Sequence, residues 1–106
     1  MDLRQGEIWR CDFAAPNKRR PVVVLTRDVA LRFLRTATVA EVTSTIRGAP
    51  SEVRVGTDEG LKGPSVVSLD NVQTVDQRRL RGYVGELSEE KMGAVCRARG
   101  IAAGCE

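Results

Sequence analysis

Basic and hydroxyl-bearing side chains are concentrated in two short segments of this sequence. The first is Asn17-Lys18-Arg19-Arg20, which leads directly into an apolar run, and the second is Thr43-Ser44-Thr45. Guanidinium groups bind phosphate oxygens through paired hydrogen bonds, and hydroxyl groups can donate to the same oxygens. Each segment alone also suits an ordinary solvated loop or strand end. Both segments are therefore candidates for phosphate binding, and Arg20 differs from its neighbours because the rigid strand that follows holds it.

A third polar segment runs from Ser68 to Thr74 and contains the amides of Asn71 and Gln73. Amide side chains can read base edges, although Asp-Asn is also a common turn sequence. The chain has no histidine, which excludes His-activated nucleophiles, His-ligated metals and histidine acid–base pairs. Chemistry would therefore depend on carboxylates, hydroxyls and guanidinium groups, and we predict no metal and no cofactor.

Length and composition predict one domain, residues 1–106, because 42% hydrophobic residues in a chain of 106 suffice for one core. The sequence contains no apolar run of the roughly 18 residues that suggest a membrane span, and its N-terminus lacks the apolar stretch of a secretory signal. Three widely spaced cysteines, Cys11, Cys96 and Cys105, form neither a disulfide framework nor a zinc pattern. We expect a cytoplasmic protein that does not enter membranes.

Runs of alternating or continuous apolar residues predict short strands along most of the chain. Pro21 is expected at the first residue of a central strand that is buried on both faces, where its missing amide hydrogen is tolerated. Asp70-Asn71 is expected to separate two strand pieces as a turn or bulge. The predicted strands are 7–13, 21–26, 36–43, 52–55, 65–69 with 72–75, and 82–87.

Three helical segments complete the pattern. Asp28 is expected to cap a short helix over residues 29–34, with Leu31 and Leu34, or Val29 and Phe33, facing inward. A single helical turn is expected over residues 76–80.

The only long helix is predicted to begin after Ser88, a favourable N-cap residue. Met92, Val95 and Cys96 form its expected apolar stripe, with spacings of three and four residues. Short strands, tight turns and one terminal helix indicate a mainly β protein with a C-terminal helix, folded as a strongly curved antiparallel barrel.

Two motifs are specific when they occur together at this distance: Gly6-Glu7-Ile8-Trp9 and Arg20-Pro21-Val22-Val23-Val24. With Asp12-Phe13, residues 39–43, residues 65–75 and Arg79-Leu80, they make the sequence similar to the MazF/PemK-type toxin endoribonucleases of bacterial toxin–antitoxin systems. The resemblance covers about residues 4 to 98. It implies an SH3-like antiparallel barrel of the MazF/CcdB type.

The resemblance also implies a function and a site. It implies a homodimer that cleaves single-stranded RNA at a short recognition sequence without a metal, and a cognate antitoxin protein that inhibits it. The catalytic arginine of the family falls on Arg20 and its catalytic threonine on Thr43. The residues expected to bind RNA are Asn17, Lys18, Arg19, Ser44, Thr45, Asn71 and Gln73.

The sequence departs from the family pattern at two places. The loop at residues 14–19 is short and lacks a carboxylate, so a glutamate proposed to assist catalysis in some members has no counterpart. Where many members have Asp-Gln-Ile-Arg, this chain has Asp70-Asn71-Val72-Gln73. Because of this departure, the resemblance does not imply a particular recognition sequence.

The chemistry implied by the resemblance suits these residue types. The RNA 2′-hydroxyl attacks the adjacent phosphorus, giving a 2′,3′-cyclic phosphate and a 5′-hydroxyl, so the protein needs no nucleophile of its own. Arg20 and Thr43 would stabilise the charge on the five-coordinate phosphorus. No general base is identified: Glu41 is expected on the same strand face as Thr43, where a salt bridge to a neighbouring arginine explains it equally well.

Two alternatives remain at this point. A CcdB-like toxin that poisons gyrase shares the barrel, since fold does not determine function. Against this alternative, such proteins lack counterparts of Arg20 and Thr43, and their C-terminal helix ends in aromatic residues, whereas this chain ends in Ala103-Gly104-Cys105-Glu106. A non-catalytic SH3-like RNA-binding module is the second alternative, although stacking platforms for nucleic acid usually need several aromatic residues.

Overall fold

The computed structural model describes residues 2–13 and 18–104. Six antiparallel strands form one sheet in the order β4-β5-β3-β2-β1-β6. The strands are β1 (Glu7–Asp12), β2 (Arg19–Val24), β3 (Thr36–Thr43), β4 (Glu52–Val55), β5 (Ser65–Asp76) and β6 (Leu80–Glu86). The helices are α1 (Asp28–Phe33) and α2 (Glu89–Ala102), with 3₁₀ turns at Thr57–Glu59 and Gln77–Arg79. The mainly β, SH3-like fold with a C-terminal helix is confirmed.

Strand β2 lies at the centre of the sheet and is buried on both faces, as predicted. Val22, Val23 and Val24 have no solvent exposure. Val23 belongs to a core that α2 covers with Val95 and Ala98. Val22 and Val24 belong to a second core on the opposite face. Each buried valine contributes roughly 1.5–3 kcal/mol relative to an exposed one, so β2 is a rigid support for whatever lies at its ends.

The expected position of Pro21 was wrong, because β2 begins two residues earlier, at Arg19. Pro21 pairs with Arg10 of β1, whereas the pairing with β3 begins only at Val22. The strand therefore has a single partner at Pro21, and the missing amide hydrogen can lie on the unpaired side.

Strand β5 is continuous but contains the predicted irregularity. Ala40 of β3 pairs with Val72, while the next residue, Glu41, pairs with Ser68. Residues 69–71 are therefore extra residues in β5, as in a bulge. The Asp70 carboxylate accepts a hydrogen bond from the Ser51 hydroxyl, which holds this bulge against the turn before β4.

Helix α1 differs from the prediction. Arg27, not Asp28, is its N-cap residue, and the Asp28 carboxylate instead accepts a hydrogen bond of 2.7 Å from the amide of Gln5. Only Leu31 is buried; Val29, Phe33 and Leu34 are 67%, 84% and 50% exposed. A helix of six residues contacts the sheet through little more than one side chain, so neither expected inward pair could form.

Helix α2 begins as predicted, because the Ser88 hydroxyl accepts a hydrogen bond of 3.1 Å from the amide of Lys91. Its buried residues are Val95 and Ala98, whereas Cys96 is exposed. The expected stripe was therefore wrong at Cys96, since the face that contacts the sheet is centred on Val95. Neither helix in the described ranges is long and apolar enough to cross a membrane.

The two outer strands, β4 and β6, are connected by backbone packing, not by strand pairing. The 3₁₀ turn after β4 lies against β6: a Cβ atom added to Gly85 would meet the carbonyl oxygen of Glu59, and one added to Gly60 would meet that of Val84. Gly60 also has φ +87°, which favours glycine. The turn is tied to α2, since the buried Glu59 carboxylate lies 2.7 Å from the Lys91 amine.

Candidate active site

An open cavity of about 630 Å³ lies where β2 begins and β3 ends. Three parts of the chain form its walls: the β1–β2 edge, the end of β3, and the loop between β4 and β5, with Val84 of β6 beside them. The lining residues are Arg10, Arg20, Pro21, Val42, Thr43, Ser44, Thr45, Gly60, Leu61, Lys62, Gly63, Pro64, Ser65 and Val84. The cavity thus brings together four of the residues predicted from the sequence: Arg20, Thr43, Ser44 and Thr45.

Arg20 is the second residue of β2, and its side chain is half exposed to the cavity. Its Nη1 lies 3.3 Å from Oε1 of Glu41 on the neighbouring strand. This confirms the salt bridge considered for Glu41, whose side chain is 23% exposed and does not line the cavity. A guanidinium group has five N–H donors, so Arg20 keeps donors for a ligand while Glu41 orients it.

Thr43 is the last residue of β3. Its hydroxyl oxygen accepts a hydrogen bond of 3.1 Å from the backbone amide of Thr45. A hydroxyl group that accepts in this way still has its own proton to donate. The turn after β3 therefore holds the Thr43 oxygen in place and leaves its proton for an oxygen of a ligand in the cavity.

Arg10 and Lys62 also line the cavity, and sequence reasoning missed both. Arg10 pairs with Pro21 in the β1–β2 register, whereas Arg20 pairs with Cys11, so Arg10 is displaced by one residue from Arg20 and belongs to the alternate face of the sheet. Alternation in β1 assigns Arg10 to the face opposite Trp9 and Cys11, and Cys11 pairs with Arg20, so this pattern does not indicate that Arg10 and Arg20 line the same cavity. Lys62 reaches the cavity through the loop after β4, and no sequence pattern indicates that approach.

Two further predicted residues lie close to the cavity but not in its wall. Lys18 and Arg19 immediately precede Arg20 and are exposed. The Arg19 Nε lies 2.7 Å from the Asp12 carboxylate, so its charge is partly balanced. Asn17 lies outside the described residues. Arg20 therefore lines the cavity, whereas Lys18 and Arg19, which precede it in the same segment, do not.

Asn71 and Gln73 lie in and beside the β5 bulge and do not line the cavity. The Asn71 amide donates a hydrogen bond of 3.1 Å to the Ser68 hydroxyl, and Gln73 pairs with Val39 of β3. Both side chains are exposed. They remain accessible to a long ligand but are not part of the Arg20 and Thr43 site.

Among the described residues, neither Cys11 nor any cluster of potential metal ligands offers an alternative catalytic site. Burial raises the pKa of the Cys11 thiol, and the charges of Asp12 and Glu41 act in the same direction while that of Arg79 opposes them. Cys11 is therefore a protonated core residue, not a nucleophile. Within residues 2–13 and 18–104, no group of three or more His, Cys, Asp or Glu side chains could hold a metal ion.

Comparison with known proteins gives consistent results. A family model described as "PemK-like, MazF-like toxin of type II toxin-antitoxin system" matches residues 4–100. A curated relative, "Probable endoribonuclease MazF5" of Mycobacterium tuberculosis, is 44% identical over 95% of this chain and 93% of its own length.

Solved structures agree. "Mycobacterium tuberculosis toxin MazF-mt6" has a TM-score of 0.87 and 38% identity, covering 94% of this chain and 98% of its own. "Endoribonuclease in complex with its cognate antitoxin from Mycobacterial species" has a TM-score of 0.88 and 25% identity, covering 98% and 97%. The family model spans residues 4–100, a range that contains all the residues lining the cavity.

Proposed function

This chain belongs to the family of PemK-like, MazF-like toxins of type II toxin–antitoxin systems, and we propose that it cleaves single-stranded RNA at a short recognition sequence without a metal ion. Its enzymatic class is that of its curated relatives, which are named endoribonucleases. The observation that carries the proposal is the meeting of Arg20 and Thr43 in one open cavity. They are the residues onto which the family motif places its catalytic arginine and threonine.

The proposed reaction uses a nucleophile that belongs to the substrate. The 2′-oxygen of the ribose forms a bond to the adjacent phosphorus and loses its proton, while the bond from phosphorus to the 5′-oxygen breaks and that oxygen gains a proton. The products are a 2′,3′-cyclic phosphate and a 5′-hydroxyl. The protein must stabilise the negative charge that builds on the phosphorane oxygens. Arg20 supplies charge-assisted hydrogen bonds to them, and Thr43 donates its hydroxyl proton.

Glu41 serves this mechanism as a positioning residue. It contacts Arg20 at 3.3 Å but does not line the cavity, whereas a general base must reach the proton that it removes. The absence of histidine from the sequence and of a metal-binding cluster among the described residues supports charge stabilisation as the main contribution of the protein.

The remaining predicted residues are proposed to bind RNA on either side of the cut. Ser44 and Thr45 lie in the cavity wall and are placed to hold phosphate oxygens. The exposed Lys18 and Arg19 are proposed to contact phosphates outside it, together with Asn17. Asn71 and Gln73 are proposed to contact bases farther along the strand, since exposed amides can pair with base edges.

The proposed macromolecular partners are a second copy of the chain and a cognate antitoxin, acting in the cytoplasm. A related endoribonuclease has been solved in complex with its cognate antitoxin. An acidic, partly apolar antitoxin segment that folds on binding would compete with RNA for the cationic cavity. Pairing of two barrels would lengthen the surface available to RNA. Sedimentation at micromolar concentration tests the homodimer, and a monomer there contradicts it.

Cleavage of a defined single-stranded RNA tests the catalytic proposal. Arg20→Ala should abolish cleavage, and Thr43→Ala should lower the rate by about 10²-fold, the usual effect of removing one donor to a transition-state oxyanion. Arg54→Ala is the matched control, because Arg54 is exposed on β4 and does not line the cavity. It should cleave at nearly the normal rate.

A modified substrate tests the nucleophile. Replacement of the ribose at the scissile position by 2′-deoxyribose should block cleavage while binding persists. If the deoxy substrate is still cut, or if Arg20→Ala cleaves normally, the nucleophile and the active site are both wrong. Discrete cleavage also separates an endoribonuclease from the two alternatives, since a gyrase-poisoning toxin traps gyrase and a binding module retains RNA intact.

A further inference from the structure

Arg10 is a second guanidinium in the cavity wall, and the proposed reaction does not use it. It lies on β1, where its Cα pairs with that of Pro21, one residue from Arg20 on the neighbouring strand. Among the described residues its side chain has no ion pair, in contrast to Arg20, which contacts Glu41 at 3.3 Å. The Arg10 guanidinium is therefore fully available to a ligand.

The path of the Arg10 side chain is set by the neighbouring strand β6. A Cβ atom added to Gly82 would lie 3.7 Å from Cβ, 3.7 Å from Nη1 and 3.8 Å from Cδ of Arg10. The whole arginine side chain thus lies over the position where Gly82 has no side chain. This contact along the alkyl chain limits the freedom of the Arg10 side chain, and Arg10 also lines the cavity.

The cavity wall carries more positive charge than the binding of one phosphate needs. Its lining contains three cationic side chains, Arg10, Arg20 and Lys62, and no carboxylate. A single phosphodiester carries one negative charge, and Arg20 with the Thr43 hydroxyl suffices to hold it. Arg10 and Lys62 can bind further negative charge, and a continuous RNA strand supplies it at the next phosphate.

We infer that Arg10 binds the phosphate next to the scissile one, so that Arg10 and Arg20 together hold two consecutive phosphates of the RNA backbone. This inference rests on the proposed function and adds a binding residue to it. Arg10 contacts the backbone and not a base, so it sets the position of the strand and contributes to affinity at every recognition sequence. It takes part in substrate binding more than in the chemical step.

The test combines an Arg10 variant with a substrate that lacks one charge. Arg10→Met retains much of the alkyl contact with Gly82 and removes the guanidinium. The substrate is an oligoribonucleotide with a single cut site, prepared with a neutral methylphosphonate at either linkage that flanks the cut. For the wild-type protein, one of the two neutral linkages should raise KM about 5- to 10-fold, a modest effect suited to a partly exposed ion contact, with kcat changed less than about twofold.

The effect of removing the Arg10 charge and the effect of neutralising the phosphate linkage should be coupled. Arg10→Met should raise KM by a similar factor on the unmodified substrate, and the sensitive neutral linkage should then add less than about twofold, because the two changes remove one interaction. Arg54→Met makes the same change of charge outside the cavity, so its KM should rise on the neutral linkage as much as that of the wild-type protein. Arg10→Lys, which retains the positive charge, should recover part of the affinity.

Several results would overturn the inference. If the wild-type protein cuts RNA but Arg10→Met remains as sensitive to each neutral linkage as Arg54→Met, Arg10 does not bind that phosphate. A loss of kcat without a change in KM also contradicts it. If the wild-type protein cuts no RNA, the proposed function fails and the inference fails with it. Unfolding temperatures confirm that the variants are folded, and Arg10→Gln, which also removes the charge, supplies the same comparison should Arg10→Met be unfolded.

Discussion

The contact between Glu59 and Lys91 should be a major determinant of stability although it joins surface elements. Glu59 is 5% exposed and lies in the 3₁₀ turn after β4, and Lys91 lies in the first turn of α2. The two Glu59 oxygens each accept a hydrogen bond of 2.7 Å, one from the Gly56 amide and one from the Lys91 amine. The perturbation is Lys91→Met, which leaves the buried carboxylate with a single partner.

The expected cost follows from the burial of the two groups. Removing one member of a fully buried ion pair costs about 3–5 kcal/mol, because the other charge stays buried without compensation. The Lys91 side chain is 34% exposed, so water can reach part of the site and lower the cost. We expect a loss of about 2 kcal/mol in the free energy of unfolding, which for a chain of this size lowers Tm by roughly 8–16 °C.

A double-mutant cycle separates this cost from general effects of the substitution. Glu59→Gln removes the charge and can still accept from the Gly56 amide, so combining it with Lys91→Met should recover at least about 1 kcal/mol of the single-variant loss. Urea unfolding followed by the fluorescence of Trp9, the one tryptophan, supplies each value. If Lys91→Met loses less than about 0.5 kcal/mol, or the two losses simply add, the contact does not stabilise the fold as argued.

Three further outcomes are expected. Gly85→Ala should lower the free energy of unfolding by about 1–3 kcal/mol in urea, because the added Cβ meets the Glu59 carbonyl. Gly82→Ala is the control and should change the free energy of unfolding little. Equal losses in the two variants would contradict the packing of Gly85 against Glu59. A thiol reagent should modify the exposed Cys96 and spare the buried Cys11, as judged by mass spectrometry of the native protein; labelled Cys11 would refute this. RNA cleavage should persist in EDTA, and loss restored by Mg²⁺ would refute the metal-free mechanism.

The elements that were predicted best from the sequence are those whose local residue pattern is compatible with only one kind of structure. Strands β3 and β4 have the predicted bounds, Thr36–Thr43 and Glu52–Val55, because turn residues and alternation mark both ends. The run Val22–Val24 indicated burial on both faces, and the structure confirms it. Ser88 was recognisable as an N-cap because few residue types satisfy free amides at a helix start.

The elements that sequence predicted poorly are those whose outcome depends on distant parts of the chain. The six residues of α1 permit several apolar faces, and only the packing of the sheet decides that Leu31 is the buried one. Arg10 and Lys62 enter the cavity through strand register and loop path, which no local pattern contains. The approach of Gly85 to the Glu59 carbonyl involves backbone, so it leaves no apolar signal.

The antiparallel register explains why two motifs far apart in sequence line one cavity. Val24 pairs with Val39, Val23 with Ala40, and Val22 with Glu41. Continuing this register toward the start of β2 and the end of β3 places Arg20 opposite Thr43, on the same face of the sheet. A slip of one residue would move one of the two to the other face. The pairing of Val22, Val23 and Val24 with β3 therefore brings Arg20 and Thr43 together in the candidate site, although these valines have no chemical role themselves.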